Sequence, residues 1–252
     1  MSENGRASAK APAREPERPL PKRIYQAVAV APGEAGFRVL LDRRPARTPR
    51  RRELVLPTRA LADAIAAEWE AQGDRVDPAT MLLTRLANTV LDGVVGREAD
   101  LRADILKYAG SDLLCYRAGE PEALIALQSR HWDPVLDWGR EVLGARFMLV
   151  QGLMPVSQAR ETLDRIAVAI ADLDAFRLAA LHVMTTLMGS ALLGLAVVKG
   201  RLSADAAWDA AHVDEDWQIS KWGEDAEAVA RRRRRRAEMD AACRLLSLVS
   251  AA

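Results

Sequence analysis

The chain has 252 residues and half of them are apolar, so it can bury a sizeable core, and wholesale disorder is excluded. The net charge is only +1, but residues 1–60 carry 14 Lys or Arg against 6 Asp or Glu, whereas the remainder carries 22 against 29. This asymmetry predicts two modules with different surfaces. Cys115 and Cys243 lie far apart in apolar surroundings, which favours small core residues in a reducing compartment over a disulfide or a metal site.

The first 22 residues are rich in Pro, Ala, Arg and Glu and contain no apolar run, which argues against a secretory signal. Their glutamates and prolines also argue against an amphipathic transit helix. We therefore expect residues 1–22 to form a disordered tail and the protein to be cytoplasmic.

Residues 23–57 have the pattern of a small antiparallel sheet. Turn-forming residues stand at 32–36 and at Asp42-Arg43, between short apolar and β-branched runs. The predicted strands are Tyr25–Val30, Phe37–Leu41 and Leu54–Leu56. A sheet of this size needs a helix or a partner against its apolar face.

After Pro57 the apolar period changes from two to about 3.6, which predicts helices. The predicted helices are 58–73 with Thr58 as N-cap, 80–91, 97–108, 121–143, 157–171 with Ser157 as N-cap, 174–198 with Asp174 as N-cap, 203–222 with Ser203 as N-cap, and 224–249. The expected fold is α+β and mainly α, with a small β-rich domain at 23–57 and a larger helical domain at 58–252.

One predicted segment, Leu178–Val198, contains no acid, Lys or Arg and is long enough to span a bilayer. His182, Thr185, Thr186 and Ser190 interrupt it. We therefore favour the central helix of a soluble bundle, without membrane insertion.

The common signatures of catalysis are missing. The sequence has no phosphate-binding loop, no dinucleotide-binding glycine motif and no serine-nucleophile elbow. His131, His182 and His212 lie too far apart in sequence for a metal-ligand motif, and His182 is expected to be a satisfied core histidine. We predict no catalytic residue, no metal, no cofactor and no enzymatic activity, although a single positioned histidine could still act as a base.

The segment Val213–Gly223 is the most informative of the chain. On one continuous helix, Glu215 would stand on an apolar stripe with Trp208, Ala211, Ile219 and Trp222, while Asp214 and Asp216 would point to either side and be solvated. A carboxylate in such a place is costly unless it is paired. Three explanations stay open: an internal pair with an arginine, a surface completed by the basic group of a partner, or an enzymatic acid.

Tryptophans cluster in the same region, and six of them outnumber three phenylalanines. Tryptophan is favoured in binding hot spots, but at helical spacing it is more often part of the core. Trp217 and Trp222 are the better candidates for exposure and Trp208 for burial.

Two runs of arginines, at 43–52 and at Arg231–Arg236, permit a nucleic-acid-binding hypothesis. Neither run has interleaved aromatic residues, and six successive residues wrap around a helix instead of forming one face. Pairs four apart, such as Arg236 with Asp240, favour a solvated helix with internal ion pairs. We therefore expect no nucleic-acid partner, with Arg43–Arg52 the more open case.

Several motifs, in this order along residues 24 to about 230, resemble the alpha-subunit chaperones of F-type ATP synthase assembly. They are Phe37–Asp42, Arg47–Pro49, Leu56–Leu61, Ala66–Trp69, Leu83–Thr89, Tyr108–Tyr116, Trp132–Pro134, Asp214–Gln218 and Trp222-Gly223. The chain departs from the family where Asp42-Arg43 replaces Asp-Gly and Leu82 replaces Pro.

The resemblance implies a β-rich domain followed by a helical domain, and a chaperone that binds the unassembled alpha subunit and promotes assembly of the alpha/beta hexamer. It also implies that the family's functionally important acid is Glu215. The predicted partner-binding residues are Glu215, Trp217, Gln218, Trp222 and Asp214, on a monomeric chain. The alternatives are a small-molecule enzyme that uses Glu215 and a nucleic-acid binder that uses Arg43–Arg52.

Overall fold

The computed structural model describes residues 19–152 and 154–250, and within them a small antiparallel sheet precedes a helical bulk. The strands are β1 Val28–Gly33, β2 Gly36–Leu41, β3 Arg44–Pro45, β4 Val55–Leu56, β5 Tyr116–Arg117 and β6 Val150–Gln151. The helices are α1 Arg59–Glu70, α2 Leu82–Thr89, α3 Glu98–Gly110, α4 Glu122–Trp138, α5 Arg160–Ala169, α6 Ala175–Met188, α7 Ala191–Val198, α8 Ala204–Ala211, α9 Val213–Trp222 and α10 Ala226–Ser250. The predicted fold class, α+β and mainly α, is confirmed.

The sheet is built around β2, which pairs antiparallel with β1, β3 and β4. Its buried face carries Val39 and Leu56, which join one apolar cluster with Leu61 and Ile65 of α1. The helix that such a small sheet needs is therefore α1. The change of period at Pro57 coincides with the start of α1, where the Thr58 hydroxyl accepts a hydrogen bond from the Leu61 N–H at 3.2 Å.

The tail predicted for residues 1–22 falls largely outside the described residues. Within its last part, the Pro21 carbonyl accepts a hydrogen bond from the Val76 N–H at 2.9 Å. The backbone of Lys22 forms an isolated antiparallel β-bridge with that of Arg75. Pro21 and Lys22, predicted to belong to a disordered tail, are therefore bound to the chain that follows α1. The division into two domains at Pro57 stays a prediction.

The turn between β2 and β3 consists of Asp42 and Arg43, both with positive φ, at 47° and 70°. A two-residue hairpin of this kind matches the twist of its strands and favours Gly at the second position. Asp42 fits the turn because its carboxylate accepts hydrogen bonds from the Ala27 and Gln26 N–H groups, which lower its pKa. Arg43 bears the steric cost of a side chain in the left-handed region.

Arg43→Gly is expected to raise the free energy of unfolding by about 1 kcal/mol, because it removes that steric cost. Arg43→Ala is the matched control, since it shortens the side chain but keeps the Cβ atom. Urea denaturation of the three proteins checks the prediction. A gain for Ala as large as that for Gly would show that the arginine side chain, and not the backbone, is responsible.

The single apolar helix predicted for 174–198 is wrong, because the chain forms α6 and α7 with a break at Gly189-Ser190. Gly189 ends α6 with φ +66°, and the Ser190 hydroxyl caps α7 by accepting from the Leu193 N–H at 3.0 Å. The start of α7 also meets the buried Asp112, whose carboxylate accepts from the Leu192 N–H at 3.0 Å and from the Leu114 N–H at 3.1 Å. Partners elsewhere in the chain therefore fix the break.

Neither half of this apolar segment is long, and no helix among the described residues has the length and apolar character to cross a membrane.

His182 lies half-buried on α6 with its Nε2 atom 2.8 Å from a carboxylate oxygen of Asp104. The ring is therefore satisfied as predicted, but the predicted core position is wrong, since the side chain is half-buried beside a partly exposed carboxylate. Cys115 and Cys243 are free, and burial raises the pKa of their thiols to about 12 and about 11.

One further helix start and one helix length were predicted wrongly, whereas the predicted N-cap Ser203 does begin α8. Ser157 caps no helix, because α5 begins at Arg160 with Ala159 in the N-cap position. The preceding Gln158 side chain bonds both backbone groups of Met148, which holds this part of the chain outside the helix. The helix predicted from Ser203 to Trp222 is interrupted at His212, which separates α8 from α9.

The free energy of unfolding should depend on pH because of Asp112. Burial raises the pKa of this carboxyl from 3.8 to about 6. Between about pH 4 and pH 6 the folded protein holds a proton that the unfolded chain has released. The free energy of unfolding should therefore fall as pH rises through this window, by an amount on the order of 2–3 kcal/mol.

The Asp112→Asn variant is the reference for this measurement, because it keeps one acceptor oxygen but does not titrate. The difference in unfolding free energy between native protein and variant, measured by denaturant at pH 4 and pH 6.5, isolates the effect. An equal difference at both pH values would contradict it.

Candidate functional site

An open groove of about 640 Å³ lies between α9 and the first turns of α10. Gly223, with φ +83°, allows the chain to reverse from one helix to the other. Its lining combines apolar and charged side chains. The lining residues that matter here are Trp208, Glu215, Ile219, Trp222, Val229 and Arg233.

Glu215 stands at the inner end of this groove with 39% of its side chain exposed. Its nearest charged or titratable neighbour is His212, with 3.8 Å between Glu215 Oε2 and His212 Nε2. Within the described part of the chain, no Lys or Arg forms a salt bridge with this carboxylate. The internal arginine salt bridge is therefore not formed, although the pKa of Arg232 on α10 is raised first by its hydrogen bond to Asp216 and also by the charge of Glu215.

His212 cannot supply the missing cation. Its Nδ1 atom donates to the Trp208 carbonyl at 2.7 Å and its ring stacks on the Trp208 ring at a centroid distance of 3.9 Å. The residue is 4% exposed, and burial lowers its pKa. The neutral ring thus presents an unprotonated Nε2 atom to Glu215, so that two acceptors face each other.

Asp214 and Asp216, predicted to be solvated, are instead paired within the protein. The buried Gln128 amide accepts from the Ala118 N–H at 2.8 Å and donates to Asp214 at 2.8 Å, which ties α9 to α4. Asp216 forms an ion pair with Arg232 of α10. Of the three consecutive acids, Glu215 alone is left without such a partner among the described residues.

The five predicted partner-binding residues do not share one surface. Glu215 and Trp222 line the α9–α10 groove, whereas Asp214 and Trp217 line a second cavity of about 500 Å³ on the other side of α9. Gln218 lies between and borders both. The interruption at His212 also means that Trp208 reaches the groove as part of another helix.

The tryptophans differ in exposure as predicted for Trp208 and Trp222. Trp208 is 4% exposed and belongs to the core, whereas Trp222 is 81% exposed at the end of α9. Trp217 is half-buried, with the Lys221 ammonium 4.5 Å from its ring centroid. Trp222 is therefore the large apolar side chain that the site offers to solvent.

Sequence reasoning missed the structural role of the Arg231–Arg236 run. Arg232 pairs with Asp216 of α9, Arg235 donates to the Leu187 carbonyl at the end of α6, and Arg236 pairs with Asp205 of α8. Arg236 also forms the predicted pair with Asp240, at 2.8 Å. The i, i+3, i+4 spacing of these three residues was the available signal, since it places them on one face of α10.

Part of the arginine run at 43–52 is also used internally. The Asp92 carboxylate accepts from the Arg50 backbone N–H at 3.0 Å and from the Thr48 hydroxyl at 2.7 Å, and the Arg50 guanidinium donates to the Asp92 backbone carbonyl at 3.0 Å. These contacts fasten the β3–β4 loop to the turn after α2. Arg44 and Arg47 remain exposed at the other end of this run.

The sequence and the fold both match known chaperones. The profile of the ATP12 chaperone protein family matches residues 22–140. The mitochondrial protein atp12 of Schizosaccharomyces pombe is 24% identical over 236 residues, which cover 84% of this chain and 79% of that protein.

Two solved structures share the fold at higher identity. A putative chaperone from Agrobacterium tumefaciens, Atu1473, is 50% identical with a TM-score of 0.88, over 92% of this chain and 87% of its own. Atp12 from Paracoccus denitrificans is 42% identical with a TM-score of 0.86, over 91% of this chain and 98% of its own.

The two tryptophans of the groove should respond oppositely to truncation. Trp222→Ala is expected to change the free energy of unfolding by less than about 0.5 kcal/mol, because the side chain is exposed. Trp208→Ala is expected to cost about 3–5 kcal/mol, because it leaves a cavity in the core. Thermal and urea denaturation of both variants provide the check, and a large loss for Trp222→Ala would show that its ring is part of the core.

Proposed function

Because the chain belongs to the ATP12 family of chaperones, which act in the assembly of F-type ATP synthase, we propose that it holds the unassembled alpha subunit until the beta subunit replaces it. Subunits that bury large, partly apolar faces in the final complex aggregate when those faces stay uncovered. A chaperone for such a subunit needs an apolar patch with a charged rim and an affinity low enough for handover.

One observation carries the choice of surface: a carboxylate that forms no salt bridge with a Lys or Arg of the described chain stands beside an exposed tryptophan on an open groove. Glu215 and Trp222 are on the same face of α9, two helical turns apart, with Ile219 between them. Interfaces gain most of their affinity from such large side chains near their centre, and charged groups at the edge add specificity.

The groove suggests what the alpha subunit must present. The arginines Arg232 and Arg236 on its wall are neutralised by Asp216 and Asp205, whereas Glu215 is not paired in this way. A Lys or Arg within an apolar segment would therefore complete the site, since it would pair with Glu215 while its neighbours cover Trp222. Gln218, on the border of both cavities, would lie at the edge of this contact, and Asp214 and Trp217 would act through the position of α9.

We also propose that the protein is not an enzyme. An enzyme using Glu215 requires a second polar group that a substrate can reach. The imidazole closest to Glu215, that of His212, is buried, and its Nδ1 atom is committed to the Trp208 carbonyl. This arrangement favours a docking surface over a reaction chamber.

The cytoplasmic location and the monomeric state belong to the same proposal. The S. pombe relative is described as mitochondrial. Fractionation of the cells that make this protein would decide the compartment, and size-exclusion chromatography with light scattering would give the oligomeric state.

Glu215→Lys is expected to fold normally but to lose at least tenfold in affinity for the unassembled alpha subunit, because it places like charges opposite each other. Glu215→Gln should lose less, since it keeps the shape and one acceptor oxygen. The measurements are co-purification with the alpha subunit and suppression of its aggregation by light scattering.

Glu141→Lys is the matched control, because Glu141 is also exposed but follows α4 and does not line the groove. Equal loss in both lysine variants would point to total charge instead of the site. Normal binding and normal ATP synthase assembly with Glu215→Lys would show that the site is assigned wrongly. Failure of the native chain to bind the alpha subunit would contradict the proposed client.

A further inference from the structure

We propose that a further cleft, distinct from both cavities beside α9, binds an acidic, partly apolar segment of a partner protein. It lies between the Pro21–Tyr25 segment and the β2–β3 end of the sheet. This cleft has a volume of about 670 Å³ and lies in the β-rich part of the chain. It shares no lining residue with the α9–α10 groove, so the proposal stands independently of Glu215.

The wall formed by Pro21–Tyr25 is held in place by the chain that follows α1. Pro21 accepts from the Val76 N–H at 2.9 Å, and the Arg23 N–H donates to the Asp74 carbonyl at 2.9 Å. The Tyr25 hydroxyl donates to the Trp69 carbonyl at 2.7 Å. The cleft is therefore formed before a ligand arrives, which lowers the entropic cost of binding.

The rim of the cleft is positively charged. Lys22, Arg44 and Arg47 line it, and none of the three forms a salt bridge with the described residues. The single acid in the lining, Asp42, is held in the turn by the Ala27 and Gln26 N–H groups. Two positive charges thus remain uncompensated, and they favour a ligand with carboxylates.

The same cleft has an apolar side that indicates a protein segment instead of a nucleic acid. Ile24 is 91% exposed at its edge, and Leu41, Pro45 and Val76 line its interior. Nucleic-acid sites of this size stack bases on exposed aromatic rings. The only aromatic lining residues, Tyr25 and Trp69, are buried and half-buried.

The protein's own N-terminal tail does not fit the charge of the cleft. Residues 1–18, which precede the described residues in sequence, contain four Lys or Arg and three Asp or Glu. A segment with a net positive charge would be repelled by Lys22, Arg44 and Arg47. The occupant is therefore expected to come from another chain.

The test uses the full chain and fluorescein-labelled peptides with alternating glutamate and leucine, followed by fluorescence anisotropy at low ionic strength. The acidic peptide should bind, with affinity that falls as salt is added. Arg44→Gln combined with Arg47→Gln should weaken binding about fivefold, because each exposed ion pair contributes modestly. Ile24→Ser should weaken binding without reducing the salt dependence.

Arg231→Gln combined with Arg234→Gln is the matched control. It removes the same charge from exposed positions on α10 that line neither this cleft nor the α9–α10 groove. It should leave binding unchanged. The proposal is overturned if the acidic peptide does not bind, if both double variants weaken it equally, or if a lysine–leucine peptide binds as well. Tighter binding of a single-stranded oligothymidylate at the same cleft would replace it with a nucleic-acid site.

Discussion

The buried carboxylate of Asp112 controls how the helical part of the protein is arranged. It accepts backbone hydrogen bonds from Leu114 and from Leu192, two points nearly 80 residues apart in sequence. The second of these lies in the first turn of α7, where unpaired N–H groups and the helix dipole favour a negative charge. The interaction fixes the break between α6 and α7, and α6 in turn packs against α3, α7 and α10.

The groove at α9 depends on this arrangement through α10. The inner face of α10 carries Arg232, Arg235 and Arg236, which reach α9, the end of α6 and α8 in turn. Each guanidinium meets a carboxylate or a helix-terminal carbonyl, so the cations hold together helices whose packing is otherwise apolar. These arginines form their salt bridges with other acids, and the closest titratable contact of Glu215 is the buried ring of His212.

The α9–α10 groove and the cleft beside the sheet, the two docking surfaces proposed above, differ in charge. One presents an unpaired carboxylate beside an exposed tryptophan, and the other presents Lys22, Arg44 and Arg47 beside an exposed isoleucine. This division corresponds to the charge asymmetry of the sequence, in which the first 60 residues are basic and the remainder is acidic. A chaperone that engages a client at two separate points can combine modest contacts into a useful affinity, and it can release each contact on its own.

The sequence by itself determined the fold class, the covered sheet, the start of α1 at Thr58 and the family. These features follow from local chemistry: alternation in strands, a capping hydroxyl, and the order of short motifs along the chain. Tertiary structure alone decided that α6 and α7 are separate, that α8 ends at His212, and that Asp214 and Asp216 are paired. The partners responsible, Asp112, Gln128 and Arg232, lie 16 to more than 80 residues away, and no periodicity within one segment can reveal a hydrogen bond that another segment supplies.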